Sequence, residues 1–510
     1  MNFLHFLTTS LLLLGGSRLA LADSASSAIK IKGNAFFNSD TNERFYVRGV
    51  DYQPGGSSTL VDPLADTSIC KRDLPYLQGL NINTIRVYQV DNSANHDECM
   101  SALQDAGIYV ILDLATSSNS ISRLDAASSY NAVFLQGIFA TIDAFKNYTN
   151  VLGFFAGNEV ANTAENSATT TWVKAALRDA KEYISKNSDR DIPVGYSAAD
   201  VAEIRVQCAD FFACGNSSVR ADFYGMNMYE WCGADSSFTI SGYDQRMEEF
   251  ANYSIPLFLS EYGCNDVTKE SDGTPDRPFD EVDAIFSSEM SSVFSGGLVY
   301  QYSEEGNNYG LVVIDGDNVT ISKNYETLKE KYASAANYTG DGDYSSSPAT
   351  LTCPADDSYF TSFPLPTMPS EAKGFIESGA GQPLGFNAPS NQEFSANATA
   401  LVSPGPHSVS TTINTNIVQA TISQSSTSGS SSGSSSASTT ASSSSVSSGS
   451  SISSGSSSMS TSYTSASGSS AHSSGSSSGS SSATSSASTF NLSRFYVFAG
   501  ILAISGLVFA

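Results

Sequence analysis

Eight apolar runs, each closed by turn residues and most separated by a helical pattern, limit this chain more than any other feature. They read FYVRGVDYQ (45–53), NTIRVYQV (83–90), YVILDLA (109–115), VLGFFAGNEV (151–160), IPVGYSA (192–198), FYGMNMYEW (223–231), PLFLSEYG (256–263) and GGLVYQYSEE (296–305). A half-buried strand alternates apolar and polar residues. These runs are apolar nearly throughout, as parallel strands covered on both faces are. The stretches between them carry a helical period. One is NAVFLQGIFATIDAF (131–145); in TTTWVKAALRDAKEYISK (169–186), Trp172, Ala175, Ala176 and Ala180 share a stripe that Tyr183 and Ile184 continue. Eight β–α repeats in about 300 residues predict a (β/α)8 TIM barrel over residues 23–345. The early IKIKGNAFF (29–37) is left over and reads as a hairpin closing the barrel floor.

Composition shifts sharply outside that region. Residues 1–22 hold an apolar core, Leu7 to Leu14, too short to span a bilayer, and then Ala20-Leu21-Ala22. That order is expected of a secretory signal cleaved before Asp23, although its first residues lack Lys and Arg. Residues 407–489 are mostly Ser with Gly, Thr and Ala. Such a segment cannot bury enough apolar surface to fold, so a disordered, O-glycosylated stalk is expected. Residues 490–510 end in an uncharged apolar stretch, Phe495 to Ala510, with a polar spacer and small residues upstream. This is the order of a glycosylphosphatidylinositol attachment signal, with attachment expected within Gly479 to Ser486. The expected location is therefore the cell surface, on the outer leaflet of the plasma membrane. Residues 346–406 remain as an extension of the barrel.

The formal net charge of −26 opposes nucleic-acid binding, because phosphate backbones would be repelled. Six sequons, at Asn147, Asn216, Asn252, Asn318, Asn337 and Asn397, are candidates for N-glycosylation. Seven cysteines, Cys70, Cys99, Cys208, Cys214, Cys232, Cys264 and Cys353, should mostly pair in an oxidising compartment, with one left over. Their spacing does not give the connectivity.

Chemistry in such barrels gathers at the C-terminal ends of the strands. Those ends carry Tyr52 and Gln53; Arg86, Tyr88 and Asp91; Asp113; Asn158 and Glu159; Asn227 to Glu230; Glu261 and Tyr262; and Tyr300 to Glu305. A lone glutamate at a strand tip is ordinarily a solvated stop signal. Here two of them, three strands apart, face one mouth. Two such carboxylates can cleave a glycosidic bond with retention: one protonates the leaving oxygen while the other attacks the anomeric carbon. The acid must keep its proton near neutral pH, which calls for apolar walls or a negative neighbour. Phe154 or Phe155, of which strand alternation turns one inward, is placed to supply a wall. The nucleophile must stay ionised, and Arg86 and Tyr229 are the candidates to hold it. Tyrosines at the tips (Tyr52, Tyr88, Tyr229, Tyr262, Tyr300, Tyr302) are placed to stack on sugar rings. Histidine chemistry fits poorly: of His5, His96, His407 and His472, only His96 lies within the barrel region. No phosphate-binding glycine motif occurs, and no metal or organic cofactor is indicated.

The segments FFAGNEV, YGMNMYEWCG, LFLSEYGCN and SGGLVYQYSEEGNNYGLV, with RGVDYQPGG and INTIRVYQVD, resemble glycoside hydrolase family 72 over about residues 29–355. These are the fungal, lipid-anchored β-1,3-glucanosyltransferases of the cell wall. The resemblance implies Glu159 as acid/base, Glu261 as nucleophile and Asn158 as the partner of the sugar 2-hydroxyl. It also implies that Gln53, Tyr88, Asp113, Tyr229, Tyr300 and Tyr309 line a glucan cleft, with β-1,3-glucan chains as donor and acceptor. The disulfides it implies are Cys70–Cys99, Cys214–Cys353 and Cys232–Cys264, with Cys208 unpaired. The second of these would strap residues 340–353 onto the barrel. Some relatives carry a cysteine-rich carbohydrate-binding module after the barrel; here only Cys353 follows residue 264, which resembles the shorter form. A hydrolytic endo-β-1,3-glucanase and a catalytically silent glucan-binding scaffold are the alternatives.

Overall fold

A small antiparallel sheet of β1 (Ile29–Lys32), β2 (Ala35–Asn38) and β3 (Arg44–Phe45) opens the fold of the computed structural model. The model describes residues 27–407 apart from 270–272 and 274; the expected signal, nearly all of the stalk and the attachment signal lie outside these residues. The turn between β1 and β2 is left-handed at Gly33 (φ +58°), where a Cβ would sit 1.8 Å from the Ser345 carbonyl oxygen. Only glycine lets the chain beyond the barrel pass that close. From β2, Phe36 inserts upward, its ring 6.0 Å from Phe223 and 6.1 Å from Phe258. The leftover run is the floor of the barrel.

Each of the eight apolar runs overlaps one strand of a closed parallel barrel, the strand extending at most two residues beyond its run. These are β4 (Val47–Asp51), β5 (Thr84–Val87), β6 (Tyr109–Asp113), β7 (Val151–Asn158), β8 (Val194–Ala199), β9 (Phe223–Met228), β10 (Leu257–Tyr262) and β11 (Phe294–Val299). They pair in sequence order, and β11 closes on β4. The connecting helices are α1 (Thr67–Gly79), α2 (Asp97–Asp105), α3 (Ala126–Ser129), α4 (Ala132–Phe145), α5 (Thr170–Asn187), α6 (Arg205–Ala213), α7 (Tyr243–Glu249) and α8 (Glu281–Ile285). After β11, a hairpin of β12 (Val312–Asp315) and β13 (Asn318–Ile321) leads to α9 (Lys323–Ala335). Side-chain caps fix several helix starts: Asp66 accepts from Ser68 and Ile69, Asn131 from Phe134, and Ser322 from Tyr325. Each such cap contributes about 1 kcal/mol. In α5 the expected stripe is buried, with Ala175, Ala176, Ala180, Tyr183 and Ile184 against the barrel wall and Trp172 at its edge.

Strand alternation divides the barrel interior into two storeys. The lower is apolar, packed by Val47, Tyr109, Ile111, Leu152, Phe155, Phe223, Phe258 and Leu298 over Phe36. The upper is polar, with Asp51, Arg86, Asp113, Ser197, Asn227 and Ser260 all buried. Phe155 points into the barrel, and Phe154 joins the layer between strands and helices.

The disulfides are Cys70–Cys99, Cys214–Cys353 and Cys232–Cys264, and Cys208 is free and buried. Burial pushes the Cys208 thiol up to about 12, which keeps it unreactive. Past Cys353, residues 354–407 do more than hang from one bridge. Phe360 packs on Phe211 and Phe363 on Trp172, with centroids 5.7 Å apart in both pairs. Helix α10 (Lys373–Ser378) lies on α5, where the Asn187 amide donates to the Ile376 carbonyl at 3.1 Å. Asn391 then reaches the loop between β6 and α4. All six candidate sequon asparagines are exposed.

Candidate active site

Two β-bulges aim the upper storey. The pairing of β10 with β9 slips between Leu259 and Glu261, and that of β7 with β8 slips between Phe155 and Asn158. A bulge lets successive residues face the same side, which plain alternation forbids. Ser260 and Glu261 therefore both reach the mouth: the Ser260 hydroxyl donates to Asn227 Oδ1 at 2.8 Å, and Glu261 meets Arg86 and Tyr88. One residue past β7, Glu159 takes a left-handed backbone (φ +48°). Such a conformation costs a non-glycine residue on the order of 1–3 kcal/mol. The peptide is held there by Glu159 N donating to Ser197 O at 2.8 Å, and by the Arg123 guanidinium donating to Glu159 O at 2.8 Å and Val160 O at 3.2 Å.

The two carboxylates share Asn227. Its amide donates to Glu159 Oε1 at 2.8 Å, and its backbone is the register partner of Glu261 on the neighbouring strand, about 4.8 Å away as paired strands are. Burial, and then the negative charge of Glu261, raise the pKa of Glu159; the Asn227 hydrogen bond, Arg123 and Arg86 oppose them. Glu159 thus has the surroundings of an acid that keeps its proton. Glu261 receives three donors: Arg86 Nη1 at 3.2 Å and the Tyr88 hydroxyl at 2.8 Å on Oε1, and the Tyr229 hydroxyl at 2.6 Å on Oε2. These complement an anion.

Arg86 is fully buried. It binds Asp113 in bidentate fashion, at 3.1 and 3.0 Å, and lies over the rings of Tyr88 (4.3 Å) and Phe155 (4.6 Å). Asp51, at the tip of β4, completes this layer with both oxygens buried and unpartnered among the described residues. Burial, and then the charge of Glu261, push its pKa well above the usual carboxyl range, against Arg86 and Tyr88. One guanidinium beside three carboxyl groups accounts for that, since only Asp113 and Glu261 bond to it.

The residues expected to line a cleft divide into two sets. Tyr229, Tyr300 and Tyr309 form a half-buried aromatic group, with centroids 5.2–6.4 Å apart, beside Glu261. Asn158 stands with Glu159; both its bonds, from Ser197 Oγ (2.7 Å) and Asn227 (3.2 Å), use its oxygen, so its amide nitrogen is the end left for a ligand. Gln53 and Tyr88 lie behind the surface instead, while Asp113 stands at its edge, bordering a small pocket with Asn158. The Gln53 oxygen accepts from the backbones of Tyr88 (3.1 Å) and Gln89 (3.0 Å) while its nitrogen donates to Val61 O (2.6 Å). Three tip tyrosines do not reach the mouth at all. Tyr52 and Tyr302 turn outward to Asp73, and Tyr262 bonds Tyr332. His96 is buried at the start of α2, 2.8 Å from Asp62.

Several residues of the site carry no expected role: Asp51, Ser197, Asn227, Arg123 and Arg277. Asn227 and Asp51 have a signal in the sequence, since both stand at strand tips. Arg277 has none; it comes from the loop after β10 and donates to the carbonyls of Gly263, Tyr300 and Tyr309, at 3.0, 2.8 and 2.6 Å. It fastens the backbone under the aromatic group.

A parallel barrel with a buried glutamate of raised pKa and a donor-held carboxylate beside an aromatic rim is the apparatus of a carbohydrate-active enzyme. A family model described as glucanosyltransferase matches residues 18–336, and the chain belongs to that family, glycoside hydrolase family 72. It is 60% identical over 384 residues to 1,3-beta-glucanosyltransferase gas4 of Schizosaccharomyces pombe, covering 75% of this chain and 84% of that one. It is 53% identical over 398 residues to 1,3-beta-glucanosyltransferase GAS5 of Saccharomyces cerevisiae, covering 77% and 81%. Among solved structures, Saccharomyces cerevisiae Gas2p in complex with laminaritriose and laminaritetraose superposes with a TM-score of 0.62 at 43% identity, covering 69% of this chain and 79% of that one.

Proposed function

We propose that this chain is a retaining 1,3-β-glucanosyltransferase that lengthens β-1,3-glucan. The observation that carries the reading is the Glu159–Asn227–Glu261 arrangement, with one carboxyl buried so that its pKa is raised and the other held by three donors. A Glu261 oxygen attacks the anomeric carbon of an internal glucose as the glycosidic bond breaks, and Glu159 gives its proton to the departing 3-oxygen. The donor segment is left as an ester on Glu261. The 3-hydroxyl at the non-reducing end of a second glucan then attacks that carbon, Glu159 takes the hydroxyl proton, and the ester bond breaks. Retention follows from two displacements at one carbon. Asn158 offers its amide nitrogen to the 2-hydroxyl of the reacting sugar, and Tyr229, Tyr300 and Tyr309 stack on neighbouring rings. That two glucan chains bind here is supported by the relative solved with laminaritriose and laminaritetraose.

The test is a laminari-oligosaccharide of one length. Transfer gives products longer than the starting sugar, whereas hydrolysis gives only shorter ones and a silent scaffold gives none. Glu261→Gln should abolish product formation in a protein that stays folded; near-normal turnover would remove Glu261 as nucleophile. The chain ends suggest secretion and a glycosylphosphatidylinositol anchor that holds the enzyme at the cell surface. A phosphatidylinositol-specific phospholipase should then release it from membranes, and full retention after treatment would count against the anchor.

A further inference from the structure

We propose that Asn391, far beyond the barrel in sequence, is a positioning residue for Glu159, acting through the loop between β6 and α4 and through Arg123. The proposal rests on the acid/base reading of Glu159. Asn391 is fully buried, and every polar group it owns is engaged. Its Oδ1 accepts from Ser120 N at 2.9 Å, while its Nδ2 donates to Ser120 O and Ser129 O, both at 2.8 Å. Its backbone donates to Ser118 O at 3.3 Å and accepts from Asn131 Nδ2 at 2.9 Å. The neighbouring Gln392 amide adds a bond to Ser120 Oγ at 3.2 Å. One side chain thus pairs with both peptide groups at Ser120, as an adjacent strand would, and also ties down the end of α3, which follows the loop that holds Ser120.

What that loop carries is the link to the chemistry. Ser120 and Ile121 border a small pocket with Asp113, Asn158 and Val160. Two residues further on, Arg123 grips the carbonyls of Glu159 and Val160. Because Glu159 sits in a left-handed backbone conformation, the direction of its carboxyl follows from how firmly that peptide is held. A general acid works only within hydrogen-bond reach of the oxygen it protonates, and a displacement near 1 Å lowers rate on the order of 100-fold. A buried asparagine that merely stabilised the fold would not select for the proton-transfer step.

The experiment compares two donors in the full chain: a laminari-oligosaccharide, whose leaving oxygen needs a proton, and a dinitrophenyl β-laminari-oligoside, whose leaving group does not. For Asn391→Ala, kcat/KM on the first should fall on the order of 10- to 100-fold, while on the second it stays within about twofold. Equal losses on both donors, or no loss on either, would overturn the proposal. Asn391→Ser removes both amide donors without placing a charge against the Ser120 and Ser129 carbonyls, so it should show the same contrast; it serves if the alanine variant does not fold. Glu159→Gln is the reference. If it lacks the contrast, the acid/base reading fails. If it has the contrast and both Asn391 variants lack it, only the role of Asn391 fails.

Discussion

The pKa of Glu159 is raised for two reasons that can be separated by substitution: it is removed from water, and the negative charge of Glu261 stands near it. A raised carboxyl pKa extends the protonated form upward in pH, so activity should persist above the ordinary carboxyl range and fall as pH rises through the Glu159 value. Replacing Glu261 by Gln removes the like charge and leaves the burial. The pKa of Glu159 should then drop below its wild-type value, measured by 13C NMR titration of the labelled side-chain carboxyl; an equal or higher value would refute the charge coupling. Residues of this kind were only partly legible in the sequence. The two glutamates stand out because each closes an apolar run, and Arg86 because a cation within such a run needs a partner. Asp51 and Asn227 share those strand tips, yet a tip position alone does not tell a residue of the site from a solvated one. Arg123 and Arg277 lie in loops with no periodicity, and their roles come from which carbonyls the fold brings to them.

Elements were more legible than their details, because burial on both faces writes a parallel strand as an unbroken apolar run. Bulges leave no such mark. A strand with one extra residue reads the same as one without, so the paired inward turn of Ser260 and Glu261 appears only in the pairing register. Tyr52, Tyr262 and Tyr302 turn outward and are buried against the helices; for Tyr52 plain alternation from the inward Asp51 is enough, since β4 pairs without a bulge. Helix α8 gives an element-level prediction. Glu281 in its first turn is buried, with Oε2 unpartnered among the described residues, and burial raises its pKa to about 7, against the effects of its own backbone N–H, Arg277 and Lys331. The folded state therefore binds more protons than the unfolded state between the ordinary carboxyl value and about 7. Stability from this group is fully present below that window and is lost as pH rises through about 7, by about 3 kcal/mol in all. Glu281→Gln should flatten the slope, so that denaturant midpoints of variant and wild type agree near pH 4 and the variant is the more stable at pH 8. Parallel curves across that range would show that Glu281 titrates normally.

At the scale of the molecule, the barrel and the segment after it form one packed body, whereas the sequence divides them at residue 345. Composition explains the division: residues 346–406 lack both the strand period and the helical stripe, so nothing in their pattern announces a fixed place. Their place is fixed by single anchors, Phe360, Phe363, Phe375, Ile376 and Asn391, set on the outer faces of α3 to α6. The similarity to the fission-yeast relative covers more residues than the family model spans, so it too includes chain outside residues 18–336. Losing a buried Phe to Ala costs about 3–5 kcal/mol, and two such rings, Phe360 and Phe375, are fully buried in the extension. Their sum is comparable with the whole stability of a typical domain, about 5–15 kcal/mol. A chain cut after residue 345 also frees Cys214 from Cys353, opening a loop that spans a separation of 139 residues, a loss of up to about 5 kcal/mol. Such a cut should leave the barrel aggregated or unfolded at temperatures where a chain ending at residue 407 is soluble and active. Phe375→Ala in the longer chain should lower the denaturation free energy by about 3–5 kcal/mol with the barrel still assembled. A barrel ending at residue 345 that matched the longer form in melting temperature and transfer rate would show that the extension is only a passenger on the fold.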